Sequence, residues 1–362
     1  MVNILYGLTG FFIGFSTSNN YIWEWFQEPG ALEGIMINPL PNRRDVLTGL
    51  AASLAVPPVA ALAKSKTPAK PVITYPDLVG EIRHHFASKE DTLLDLARQH
   101  KLGYVEMVAA NRGLDPWVPG AGSQVVIPTA HLLPDGPREG VMLNLVDQRL
   151  YYFPADGRPV ETYPIGTGQE AWETPLGRTK IVRKKQNPAW YPPKSIREED
   201  PTLPRMVKPG PDNPLGLHAM YLGWNAYLIH GTNNPWGVGR RVSHGCIRMY
   251  PEDIKYLFSK VPIGAPVTVV SQEVKTGWHQ GELMIEVHPN LNQNIELEER
   301  GKMTPASVPE LANRLVEEAG DQVHRINWTA VSEAVKERSG IPVPIFRDRI
   351  MGADKKKTAS KT

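Results

Sequence analysis

The chain has 362 residues and one cysteine, Cys246, in the stretch RRVSHGCIRMYPED at positions 240–253. A lone cysteine is either a small buried hydrophobe or a working thiol. The thiolate is the nucleophile, so a working thiol needs a base to take its proton and later return it. His230 lies sixteen positions earlier, near the start of AYLIHGTNNPWGVGRRVSHGCIRM. Residues Ala226 to Ile229 read as a strand that delivers it. The loop that follows, with Gly231, Asn233, Asn234, Pro235, Gly237 and Gly239, is rich in turn-formers. It closes on Ser243-His244-Gly245-Cys246, where a glycine beside the thiol lets backbone approach a substrate. Amide N–H groups there could receive an oxyanion.

A zinc site is the competing chemistry for His230, His244 and Cys246. Zinc takes three or four ligands, and the chain has no second cysteine and no C-x-x-C. His218 and His288 would have to be recruited from outside the stretch. A nucleophile and a base in the required order favour covalent catalysis, which needs no metal or organic cofactor. Asn233, Asn234 and Arg248 also suit plain bracing of the loop.

With these residues in view, the stretch resembles the signature of L,D-transpeptidases with the YkuD-type catalytic domain. The segments PIGTG, ETPLGRTKI and NPLGLHAMYLG also match in type and order, and the resemblance spans about residues 138 to 272. It implies Cys246 as the acyl-accepting nucleophile and His230 as the base, oriented by the carbonyl of Gly231. It further implies that His244, Gly245 and the Cys246 amide line the oxyanion site. Ser243 and Arg248 would hold the loop or charged groups of the substrate. The implied substrates are peptidoglycan stem peptides: the terminal D-alanine of a tetrapeptide leaves, and an amine resolves the thioester. That amine belongs to another stem or to a wall-attached lipoprotein or outer-membrane protein. Water in its place would make a carboxypeptidase.

The elements that position these residues read as β-rich, with 34 prolines and 31 glycines favouring short strands and turns. The expected fold is a mainly β catalytic domain, a YkuD-type β-sandwich with short helices, over 138–272. VMLNLVDQRLYYF at 141–153 alternates like a half-buried strand. Upstream, residues 81–130 read as two short helices and a closing strand, the first helix opened by Asp91 and Thr92. This order resembles a LysM module, a small α/β fold that binds glycan strands. It would be tethered through Leu133 to Gly140, raising the local concentration of stem peptide. A catalytically silent glycan-binding protein is the contrasting function, and the intact His230 and Cys246 weigh against it.

The ends carry other information. Arg43 and Arg44 precede an apolar run from Val46 to Ala60 and the small-residue site Ala61-Leu62-Ala63, as in an export signal over residues 1–63. It resembles a twin-arginine signal, with departures at Asn42, Val46 and Thr48 that leave Sec export open. Met36 would start a signal of ordinary shape. Pro57 and Pro58 make the run a poor membrane span. Export implies the periplasm, with a linker over 64–80. A formal net charge of +2 gives no polycation for nucleic acid. Residues 273–350 read as a C-terminal α/β extension: a hairpin at 274–289 and amphipathic helices at 307–319 and 327–338. The tail 351–362 reads as solvated and disordered.

Overall fold

The structure, a computed structural model, describes residues 73–169 and 173–347. The export signal and the tail therefore lie outside the described residues. The first described segment holds β1 (Leu78–Val79), β2 (Ile82–Phe86), α1 (Leu93–Gln99), α2 (Tyr104–Ala110), β3 (Gln124–Pro128) and β4 (His131–Leu132). Strands β2 and β3 pair antiparallel, giving a βααβ unit. Thr92 caps α1, its hydroxyl accepting the Asp95 amide at 3.0 Å, and Leu93, Leu96 and Ala97 pack with Met107, Val125 and Ile127. Residues 78 and 79, expected in the linker, form β1 and pair with β4.

The central domain follows with β5 (Gly140–Asn144), β6 (Arg149–Phe153), β7 (Glu161–Pro164), β8 (Thr167–Gly168) and β9 (Gly177–Gln186). Next come α3 (Lys194–Glu199), β10 (His218–Leu222), β11 (Leu228–His230), β12 (Arg241–Ser243), β13 (Ile247–Arg248), α4 (Pro251–Lys260) and β14 (Pro266–Val270). Among the described residues one eight-stranded ladder runs β13-β11-β10-β9-β14-β5-β6-β7, and β8 pairs with β12 in a separate ribbon. Alternate residues of this ladder, including Val141, Leu143, Leu150, Val267, Met220, Ile229 and Ile247, build the main core with Ile254 and Leu257 of α4. Pro251 opens α4 where its missing N–H costs nothing, and Glu252 and Asp253 complement the helix dipole.

Residues 141–153 depart from the half-buried strand expected of them. They form two strands, β5 and β6, joined through Asp147 and Gln148, and both faces are covered. Met142, Tyr151 and Phe153 pack on the far face with Tyr75 and Leu133. The turn escapes notice because Gln148, at φ 52°, adopts a conformation usually marked by glycine or asparagine.

The C-terminal region contains β15 (Val274–His279), β16 (Glu282–Val287), α5 (Leu291–Arg300), α6 (Leu311–Ala319), α7 (Trp328–Glu337) and β17 (Val343–Pro344). Its core joins Leu283, Ile285, Leu315, Val331 and Ile345. The helix α5 has no counterpart in the sequence expectation.

These regions are not tethered modules. Lys275 is fully buried, its Nζ 2.8 Å from Asp147 Oδ2, 2.7 Å from Glu286 Oε1 and 2.7 Å from the Tyr151 hydroxyl. His288 joins through Glu286 at 2.6 Å. Beside it, buried Glu106 of α2 faces Arg149 of β6 at 3.4 Å and His131 of β4 at 3.5 Å. Gly239, at φ 75°, brings the central-domain loop against the backbone of Gly103 and Tyr104, where a Cβ would collide. The βααβ unit, the central domain and the extension thus share buried charges. The sequence hides this, since buried and surface charges look alike there.

Candidate active site

Strand β11 pairs parallel with β13, with Ile229 opposite Ile247 and His230 opposite Arg248. Partners across a parallel pair share a face, and successive residues alternate. Ile229 and Ile247 point into the core, so His230 and Arg248 take the other face, and Cys246 falls beside Leu228 on that face. The pairing of β11 with β13 therefore places the His230 imidazole and the Cys246 thiol, one residue before β13, on the same face.

The strand before His230 is shorter than its sequence suggests. Ala226 is not in a strand but in a turn at φ 68°, left-handed backbone that is costly for a residue with a Cβ. Its carbonyl accepts the Cys246 thiol at 3.4 Å. Trp224 and Tyr227 flank this turn edge to face, with ring centroids 6.3 Å apart.

His230 is almost fully buried, and its Nδ1 lies 2.5 Å from the carbonyl oxygen of Gly231. A carbonyl only accepts, so Nδ1 carries the proton and Nε2 keeps its lone pair, the tautomer a general base requires. Burial, aided by the charge of Arg248, lowers the His230 pKa to about 4 against the pull of the Gly231 bond. Burial pushes the Cys246 thiol up, opposed by the Leu228 amide and by Arg248. At neutral pH the resting site is a neutral thiol beside a neutral imidazole.

Ser243 is buried and donates its hydroxyl to the Cys246 carbonyl at 2.5 Å, closing the Ser-His-Gly-Cys turn on itself. Its contact is with the loop. Gly245, at φ 90°, permits a peptide orientation that a side chain would strain. Thr174 donates its hydroxyl to the Gly245 carbonyl at 2.9 Å. Because a trans peptide sets its C=O and N–H in opposite directions, this bond aims the Cys246 N–H away from Thr174. Thr174 is not among the expected site residues, although it lies in the matching segment ETPLGRTKI.

His244 is held by Glu199 at 2.8 Å. Arg248 is half-buried beside Gly237, and its charge reaches both Cys246 and His230. Asn233 donates to the Asp212 carbonyl at 3.2 Å, and the Asn234 amide donates to the Thr232 hydroxyl at 2.9 Å. Asn233 braces the loop through its side chain and Asn234 through its backbone N–H. Of the other histidines considered as zinc ligands, His218 packs against the Phe258 ring and His288 meets Glu286.

Residues 138–269 match YkuD, the L,D-transpeptidase catalytic domain. The chain is 41% identical over 263 residues to the "Probable L,D-transpeptidase ErfK/SrfK" of Salmonella typhimurium strain LT2, covering 71% of this chain and 83% of that one. It is 36% identical over 283 residues to the "Probable L,D-transpeptidase YcfS" of Escherichia coli strain K12, covering 75% of this chain and 86% of the relative. A solved structure, "Structure of the Ldtfm-avibactam carbamoyl enzyme", is 23% identical at a TM-score of 0.29, covering 38% of this chain and 50% of that one. On the sequence relatives and the matched domain, this chain belongs to the L,D-transpeptidase family.

Proposed function

We propose that this peptidoglycan L,D-transpeptidase works through Cys246, with His230 as its base. Sγ attacks the carbonyl carbon joining the third stem residue to the terminal D-alanine. The thiol proton passes to His230 Nε2. The tetrahedral oxyanion sits on the Cys246 amide side, with His244 and Gly245 lining it. When the C–N bond breaks, His230 returns the proton to the departing D-alanine nitrogen and a thioester remains on Cys246. An incoming amine attacks that thioester, gives a proton to His230 and leaves an amide. Sγ departs and is reprotonated. Arg248 offers a charge for a stem carboxylate.

One observation carries this reading. The Gly231 carbonyl fixes the His230 tautomer that leaves Nε2 basic, on the strand paired with β13, which Cys246 immediately precedes. The finer parts of the proposal rest on other supports. The βααβ order of residues 82–128 supports a LysM-type glycan-binding unit, with Trp117 and Phe86 exposed on it. The Arg43-Arg44 pair and the Ala61-Leu62-Ala63 site support export to the periplasm. The acceptor is the amine of a second stem or of a wall-attached lipoprotein or outer-membrane protein.

Incubation of the purified chain with a tetrapeptide muropeptide tests the transfer. The expected products are free D-alanine and an amide-linked dimer, seen by mass spectrometry. Release of D-alanine with only tripeptide formed would make water the acceptor and the chain a carboxypeptidase. An untouched tetrapeptide would refute the reading.

A further inference from the structure

Between β9 and β10 the chain makes an excursion over residues 187–217. Its base is tied down: Trp190 and Val207 exchange backbone hydrogen bonds of 2.9 and 2.8 Å. Buried Asn213 donates to the carbonyls of Pro188, Val207 and Lys208 at 2.9, 3.3 and 3.1 Å, and its Oδ1 accepts the Leu215 amide at 2.9 Å. The helix α3 on this excursion is different. It has six residues and buries none of its side chains, so no apolar face sets its position. A helix this short is marginal without tertiary support.

Its last residue, Glu199, reaches the catalytic turn. Glu199 Oε2 lies 2.8 Å from His244 Nε2, across 45 residues of sequence. A carboxylate only accepts, so Nε2 carries the proton and the ring orientation is set. His244 stands two residues before Cys246 and next to Gly245, whose carbonyl Thr174 holds. The pair is partly solvated, with side-chain exposures of 49% for Glu199 and 26% for His244, so it adds little to stability. Its consequence lies in geometry.

We propose that Glu199 is a positioning residue for acyl transfer. Acting through His244, it fixes the imidazole beside the Gly245–Cys246 peptide and keeps the end of α3 against the Ser243–Cys246 turn. The proposal rests on Cys246 and His230 acting as described above.

The test is a double-mutant cycle on full-length enzyme, read as the rate of Cys246 acylation by a carbapenem and as kcat and KM on a tetrapeptide. Glu199→Ala should slow acylation and kcat by about fivefold, the upper range for a partly exposed pair, with KM changed by less than about twofold and an unchanged melting temperature. Glu199→Gln, which keeps an accepting oxygen, should recover most of the rate. In a His244→Ala background, Glu199→Ala should have no further effect. Wild-type rates in Glu199→Ala, additive effects in the double variant, or a Gln variant as slow as the Ala variant would each overturn the proposal. A wild-type enzyme that formed no acyl-enzyme would instead refute the mechanism beneath it.

Discussion

The electrostatics of His230 make a quantitative prediction about pH. Its pKa falls from 6.5 to about 4 because the ring is buried and Arg248 is near. A displacement of that size corresponds to about 3 kcal/mol between the protonation states, as one unit is worth about 1.4 kcal/mol. Between pH 6.5 and 4 the unfolded chain binds the proton and the folded one does not, so stability rises with pH across this window. As pH falls through it, wild-type enzyme should lose about 3 kcal/mol more stability than His230→Ala. Urea titrations at a series of pH values measure that difference. For activity, Nε2 stays available as a base down to the folded pKa. The acid limb of carbapenem acylation should therefore lie near pH 4, where an unperturbed imidazole would place it near 6.5. Stopped-flow fluorescence of the acylation gives the limb directly. A limb near 6.5, with parallel stability curves for the two proteins, would refute the lowered His230 pKa.

His230→Ala itself should slow turnover of a stem peptide by about 10²–10⁴-fold at neutral pH, with an unaltered rate pointing to His244 or solvent as the base. Ser243→Ala leaves the Cys246 carbonyl without its buried donor and should cost about 1–3 kcal/mol by urea denaturation, along with slower acylation. Lys275→Met strands the buried carboxylates of Asp147 and Glu286 and should destabilise the chain by about 3–5 kcal/mol, seen as a lower melting temperature. Deleting residues 64–130 removes Glu106 from Arg149 and strips the surface under Gly239. Rates on intact sacculi and on soluble muropeptides should then fall together; loss confined to sacculi would restore the picture of a tethered module.

The sequence revealed the parts of the site that are local. His230, Gly231, Ser243, Gly245 and Cys246 fall in two short segments, and the chemistry of a thiol, an imidazole and a turn glycine is recognisable from type and spacing. The helices around Leu93 and Val105 were legible because their apolar residues repeat at helical spacing. Contacts across long stretches were not. Thr174, in the matching segment ETPLGRTKI, and Glu199, at the end of α3, reach the Ser243–Cys246 turn across more than forty residues, and neither contact is written in a local pattern. Ala226 and Gln148 turn the chain at positive φ without a glycine, which lengthened one expected strand and merged two others. The shared burial of Glu106, Arg149, Asp147 and Lys275 is likewise written in no local pattern.

The proposed mechanism requires Cys246 to carry the acyl group. It is the one cysteine in the chain, so the stoichiometry is unambiguous. Intact-protein mass spectrometry after incubation with a carbapenem should show one adduct per wild-type chain and none on Cys246→Ser. An adduct of equal yield on the serine variant would contradict that role for Cys246.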